Sequence, residues 1–360
     1  MGTPNHAFKN ADFEPFTRRE YFTALVRDIN KAKKGDRVLV ASMGFSAELE
    51  PIAKVAEALN AAAARGVKTI LIMDAFDFLV NGVTKVPGPL WFKTGLNPNM
   101  REPYRTRYNA LQSLVENGGT YAITNQPGKR FTWPFARRSH IKTAIINDTV
   151  YVGGHNLNNI EEIDTMLRWR DQRTADWLYE LMRTAAQGGN VRESLGGQDQ
   201  TFAVDNKTTL FVDAGQPRQS IIYDEALHMI ETAREWLVLT SQYFEPGPST
   251  QALARALRRG VKITYYYSHP SMHGPLEGPF HHVAQWRERQ HLPAALFEKR
   301  LPRGVHLHAK LLATEQGVMI GSHNYALLGV QLGTAEIALR RNDVAFAKRM
   351  VKHVEQQLSL

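Results

Sequence analysis

The chain is 360 residues long, carries a formal net charge of +9 and contains no cysteine. Disulfides, thiol nucleophiles and thiolate metal sites are excluded, and no apolar run approaches the roughly 18 residues of a spanning helix. The positive balance favours anionic partners, nucleic acid and acidic phospholipid surfaces alike.

In chain order, Met1–Lys34 is charged throughout and lacks the apolar core of a signal sequence. A cytoplasmic protein, peripheral at a membrane at most, is therefore expected. Val38–Phe45 reads as a buried strand, followed by an Ala-rich helix, Arg65-Gly66-Val67-Lys68, and a second strand over 69–73. Residues 78–106 include an apolar, aromatic stretch between Lys85 and Lys93. Its Trp91, Phe92 and Lys93 suit a membrane or substrate loop, with rings at a headgroup boundary and a cation for phosphate; stacking on bases is the nucleic-acid version of the same residues.

Next comes His140-Ile-Lys142, whose period of two puts both polar residues on one face of a strand. Asn147-Asp148 reads as a hairpin turn, Val150–Val152 as the returning strand, and Gly153-Gly154-His155-Asn156 follows. The hairpin brings Asn156 back beside His140 and Lys142. Arg137 and Arg138, just ahead, are candidates for steering anions. Asp164, or alternatively Glu162, precedes another apolar strand. A Gly/Gln/Asn-rich stretch at 188–206 reads as a linker between a first lobe, 1–187, and a second, 207–360.

The second half repeats the first. Leu237–Phe244 matches Val38–Phe45, Arg259-Gly260-Val261-Lys262 matches Arg65–Lys68, and His308-Ala-Lys310 is followed by Gly321-Ser322-His323-Asn324. Lysine to glycine is eleven positions in both copies (153 − 142 and 321 − 310). The offset between copies drops from 194 at Arg65/Arg259 to 168 at His140/His308, so the first half holds 26 additional residues, placed mostly in 78–106. Glu336 opens a strand after Asn324 as Asp164 does after Asn156. The second excursion, Pro270–Pro293, carries Phe280 and Trp286 and is a candidate cap over the cleft. His269, His273, His281 and His282 within and beside it match no standard metal-ligand spacing.

A histidine, a lysine and an asparagine supplied twice can hold a phosphate from two sides. One neutral imidazole attacks phosphorus and the other, protonated, serves the leaving group. Lys142, Lys310, Asn156 and Asn324 neutralise the nonbridging oxygens, Gly153, Gly154, Gly321 and Ser322 permit close approach to the anion, and no metal or cofactor is required. Each imidazole also needs a carboxylate on its far nitrogen, for which Asp164 and Glu336 are placed. His155 and His323 read as structural or supporting.

The twin His-x-Lys and Gly-[Gly/Ser]-x-Asn elements resemble the phospholipase D superfamily, over roughly 36–358, and are most similar to the bacterial cardiolipin synthase-like members. Asn147 and Glu315 stand where that family has an aspartate. The resemblance implies an α/β chain of two similar lobes, each a mixed sheet flanked by helices, related by a pseudo-twofold axis with the active site in the seam. It also implies His140 as nucleophile and His308 as general acid/base, the reverse assignment staying open. The implied reaction is phosphodiester transfer or hydrolysis through a phosphohistidine on glycerophospholipids. The alternative is a metal-independent nuclease or repair phosphodiesterase. Two intact His/Lys/Asn sets argue against an idle binding protein, and a monomer of two lobes is expected.

Overall fold

A computed structural model describes residues 11–76, 104–125, 136–158, 160–189, 191–242, 244, 246–270 and 282–359. Trp91, Phe92 and Lys93, most of the 78–106 insertion, His273, Phe280 and His281 lie outside the described residues. Fourteen strands form two seven-stranded sheets. The first sheet contains β1 (Glu14–Phe16), β2 (Arg37–Ser42), β3 (Lys68–Asp74), β4 (Thr120–Thr124), β5 (Thr143–Ile146), β6 (Thr149–Gly153) and β7 (Met166–Arg170), in the order β1-β7-β6-β5-β2-β3-β4. The second contains β8 (Gln200–Asp205), β9 (Thr208–Asp213), β10 (Trp236–Ser241), β11 (Lys262–Tyr267), β12 (Leu311–Thr314), β13 (Gly317–Gly321) and β14 (Glu336–Arg341), ordered β11-β10-β12-β13-β14-β9-β8.

Six strands superpose in order: β1, β7, β6, β5, β2 and β3 on β9, β14, β13, β12, β10 and β11. The duplication thus extends to topology, with one parallel pair in each core, β2–β3 and β10–β11. The departures are at the edges. β4 extends the first sheet beyond β3, reached through the helix Tyr104–Glu116, whereas among the described residues the second sheet has only the bridge Tyr267–Arg300 at that position. Part of the first half's excess is thus a helix and an edge strand. Residues 188–206, read as a linker, carry the helical turn Val191–Ser194 and β8, which pairs antiparallel with β9 as the opposite edge.

Strand periodicity divides the core into layers. In β2, Val38 and Val40 pack outward with the helices Arg18–Lys31 and Glu50–Ala64, while Leu39 and Ala41 face inward. The outer side of the second sheet packs the same way against Ile221–Thr232 and Pro248–Arg258. The inward faces of both sheets, with helices Gln172–Gly188 and Val344–Leu358, share one apolar cluster reaching from Leu39 and Ile145 to Leu311, Ile320 and Leu339. Strands covered on both sides need no polar face, which is why they read as continuous apolar runs.

Candidate active site

The two hairpins are built as the spacing predicts: β5 and β6 turn at Asn147, whose φ is 54°, and β12 and β13 turn at Glu315-Gln316 with Gly317 at φ 144°. Asn147 Oδ1 accepts from the Arg37 amide, and Glu315 accepts from the amides of Arg234, Glu235 and Trp236. Both side chains tie the hairpin to the start of the neighbouring strand, a supporting role remote from the histidines.

His140 and Lys142, and likewise His308 and Lys310, lie in the extended segments leading into β5 and β12. Each segment is clamped by the opposite lobe. The His140 amide donates to Ala335 O at 2.7 Å and the Ala335 amide to Arg138 O at 2.8 Å. The amides of His308 and Ile163 make the matching pair, to Ile163 O and His306 O, both at 2.8 Å. These parallel bridges, Ser139–Ala335 and Ile163–Leu307, are the seam.

The carboxylates therefore cross over. Glu336, in the second lobe, lies 3.1 Å from Nδ1 of His140, and Asp164, in the first, lies 2.5 Å from Nδ1 of His308. Glu336 also accepts from Ser322 Oγ, and Lys142 Nζ donates to His140 O at 2.8 Å, as Lys310 Nζ does to His308 O. All of these groups are buried or nearly so, with Lys142 and Lys310 at 0% and 1% exposure. Two lysine amines sealed this far from water are costly to keep charged without a compensating negative group.

Burial governs the proton affinities. It pushes Lys142 down to about 7 and Lys310 to about 8, only partly offset by the surrounding carboxylates. Burial, reinforced by Lys142, lowers His140, and burial lowers His308 strongly despite Glu162. Burial alone would raise Glu336, but His140, His323 and Lys142 around it hold it at about 2. Burial raises Asp164 against the pull of Lys310 and His155. His140 thus faces a carboxylate held ionised, whereas burial disfavours the charged forms of both Asp164 and His308.

Several expected roles change. Gly153 and Gly321 are required by strand packing: a Cβ would lie 2.2 Å from Thr165 O at the first and 2.2 Å from Ile337 O at the second. A Cβ on Gly154 would meet Asp164 Oδ1 at 2.2 Å, and Ser322 holds Glu336. Arg138 does not steer anions; it is buried, with Nη1 3.2 Å from Asp74 and Nη2 donating to Asn125 O. His155 stacks on Tyr21 and His323 packs against Tyr223, each against its own lobe's outer helix. The Asn156 and Asn324 carboxamide oxygens are buried and make no hydrogen bond, leaving unspent capacity at the site.

His306 went unnoticed in the sequence. Its Nδ1 is 3.5 Å from Glu162, whose other oxygen is 3.4 Å from His308 Nδ1. The pattern His306-Leu307-His308 has the period of two that puts both rings on one face, the signal that was available.

Residues 25–186 match the family described as cardiolipin synthase, PLD-like domain. No curated protein matches the chain in sequence. Among solved structures, the chain is similar to the phosphatidylserine synthase of Haemophilus influenzae Rd KW20, at 14% identity and a TM-score of 0.69, covering 96% of this chain and 86% of that one. It is also similar to the polyphosphate kinase of Porphyromonas gingivalis, at 14% identity and a TM-score of 0.58, covering 97% of this chain and 50% of the kinase. The family match thus covers the first lobe, and the same motif and strand order are repeated in the second.

Proposed function

We propose that the protein transfers or hydrolyses phosphodiesters of glycerophospholipids through a phosphohistidine, as a phosphatidyltransferase or phospholipase D. The observation that carries this reading is the pair of crossed His–carboxylate bonds beside two buried lysines. The cardiolipin synthase description of the matched family and the phosphatidylserine synthase fold favour a lipid diester.

Glu336 accepts the Nδ1 proton of His140, leaving the Nε2 lone pair to attack phosphorus in line. The P–N bond forms as the P–O bond to the leaving alkoxide breaks, and His308, protonated, donates to that alkoxide. His308 then removes the proton of an incoming alcohol or water, which displaces His140 and releases the new diester or the phosphatidate. Lys142, Lys310, Asn156 and Asn324 hold the nonbridging oxygens, and the bound phosphate restores the charge on both lysines. No helix among the described residues is long and apolar enough to cross a membrane. Contact with a bilayer would then be peripheral.

The test is incubation of the purified protein in chelator with phosphatidylglycerol vesicles and, separately, with single- and double-stranded DNA. Phosphatidate or a transphosphatidylated lipid is the expected product. Cleavage of DNA with no lipid product would overturn the lipid reading, and loss of activity in chelator restored by a divalent ion would overturn the metal-free mechanism.

A further inference from the structure

The two halves of the site are not equivalent, and the difference gathers around one ring. Two residues ahead of the histidine, the first lobe has Arg138 and the second His306; two ahead of the carboxylate, the first has Glu162 and the second Thr334; past the matched strands, the first has Met43 and the second Gln242. Because the lobes cross at the seam, Glu162 of the first meets His306 and Gln242 of the second beside His308. One Glu162 oxygen lies 3.4 Å from His308 Nδ1 and the other 3.5 Å from His306 Nδ1. On the opposite side Arg138 is spent on Asp74, and Glu336 is the one carboxylate paired with His140 among the described residues.

The contacts fix where the protons sit. Gln242 Nε2 lies 3.3 Å from His306 Nε2. A carboxamide nitrogen only donates, so His306 Nε2 accepts and the ring proton is on Nδ1, turned to Glu162. Asp164 already holds His308 Nδ1 at 2.5 Å, which makes Glu162 a second negative group on the same nitrogen. His308 is faced by Asp164 and Glu162 from the segment before β7, by Lys142 and His140 from the segment before β5, and by Lys310 and His306 from its own. Burial and the lysines drive a proton off the ring, and Glu162 leads in drawing one on. A bound diester adds a negative charge that both rings share, so the choice between them falls to Glu162. With the carboxylates ionised, a protonated His308 leaves its group one net negative charge, as a neutral His140 does beside Glu336. The additional carboxylate balances one additional proton, on His308.

We propose that Glu162, oriented by His306 and Gln242, is a positioning residue that keeps the leaving-group proton on His308 and so gives two otherwise alike imidazoles different roles, His308 the acid and His140 the nucleophile. His308 Nε2 gives its proton to the alkoxide as the P–O bond breaks, while the Nδ1 proton stays toward Asp164. The ring is then neutral, and Nε2 takes a proton back from the incoming alcohol or water, which restores the starting charge beside Glu162. The pairing of Glu162 with both rings stands on the geometry alone; its effect on turnover rests on the role given to His308 under the proposed function.

The test compares phosphoenzyme formation from two diesters of the same phosphatidyl group, one with an alkyl leaving group, which needs the proton, and one with p-nitrophenol, which does not. The near-isosteric Glu162→Gln should slow the burst with the alkyl diester at least about tenfold and move the alkaline limb of its pH profile down by about 1–3 pH units, while changing the p-nitrophenyl burst by less than about twofold. His306→Ala, which takes away the partner of the second Glu162 oxygen, should move the limb in the same direction by less. An equal loss on both diesters, or an unmoved alkaline limb in Glu162→Gln, overturns the proposal. Should the wild-type chain turn over neither diester, the functional reading fails, and carbon-13 NMR titration of ring-labelled histidine in the full chain, with His308 assigned from His308→Gln, decides the rest. The His308 ring should titrate at lower pH in Glu162→Gln than in wild type, and coincident titrations overturn the pairing.

Discussion

Replacing Glu336 by glutamine keeps the shape of the second lobe and should disable the nucleophile of the first. Glu336 is 4% exposed and spends one oxygen on His140 Nδ1 at 3.1 Å and the other on Ser322 Oγ. A glutamine there has one acceptor and one donor. If the acceptor keeps the Ser322 hydroxyl, the amide N–H is turned on Nδ1, which must then accept, and the ring proton moves to Nε2. The nucleophilic lone pair is lost in that tautomer. A hydrogen bond to a charged group is worth about 1.5–3 kcal/mol, which converts to a rate loss of roughly 10- to 150-fold at 1.36 kcal/mol per decade. Quenched-flow measurement of the acid-labile phosphoenzyme, on a short-chain diester with a good leaving group, should show the burst slowed by that factor. Asp164→Asn should spare the burst with the same substrate and slow the later release, because it acts on His308. A Glu336→Gln protein with a wild-type burst and an unchanged unfolding temperature would refute both the crossed assignment and the role of His140.

Gly321→Ala, which drives a Cβ to 2.2 Å from Ile337 O, should cost about 1–3 kcal/mol of stability by overpacking; a loss of phosphate affinity with stability untouched would return that glycine to the anion site. Tungstate, as a phosphate mimic, should stabilise the fold by relieving Lys142 and Lys310, by about 2.7 kcal/mol at a hundredfold excess over Kd, seen as a raised unfolding temperature, and Lys142→Ala should abolish the shift. His323, pushed by burial to about 4 from 6.5, stays neutral in the fold while the unfolded chain takes up a proton. Stability should therefore be lost as pH falls from about 6.5 toward 4, by on the order of 3 kcal/mol from this group, and urea titrations of His323→Gln across that range should show a flatter curve.

Much of the fold was legible because both sheets are covered on two sides, so their strands announce themselves as apolar runs, and because the repeat fixed which runs correspond. The His/Lys/Asn sets were legible for the same reason: hairpins with a fixed spacing return Asn156 to His140 and Asn324 to His308. The crossing of the carboxylates was not. Asp164 and Glu336 each sit in the same half as one histidine, and nothing local says that Ala335 will bridge to Ser139 and Ile163 to Leu307. The packing need of the glycines was not legible either, because a glycine needed for the approach of a neighbouring strand looks, in sequence, like one needed for the approach of a ligand. Arg138 was misread because a buried partner 64 residues away, Asp74, has no sequence signature.

The crossing has a mechanical consequence for the whole molecule. Each of the two imidazoles is placed by its own lobe's hairpin but oriented by the other lobe's strand, so the seam is held by backbone hydrogen bonds between the lobes together with His–carboxylate contacts. A slight opening of the lobes would break both imidazole–carboxylate contacts while leaving either sheet intact. The apolar cluster beneath the seam, with Ile141, Ile163, Leu307, Ala309 and Ala335 at its upper edge, opposes that opening. These residues sit one position from His140, Lys142, Asp164, His308, Lys310 or Glu336, alternating with the polar groups at the period of two. Packing and chemistry are thereby written into the same short segments: one face of each extended strand closes the lobes and the other presents the reacting groups. Truncating Leu307 or Ile163 should accordingly lower turnover in excess of the stability it removes, since it loosens a joint that the two imidazoles share.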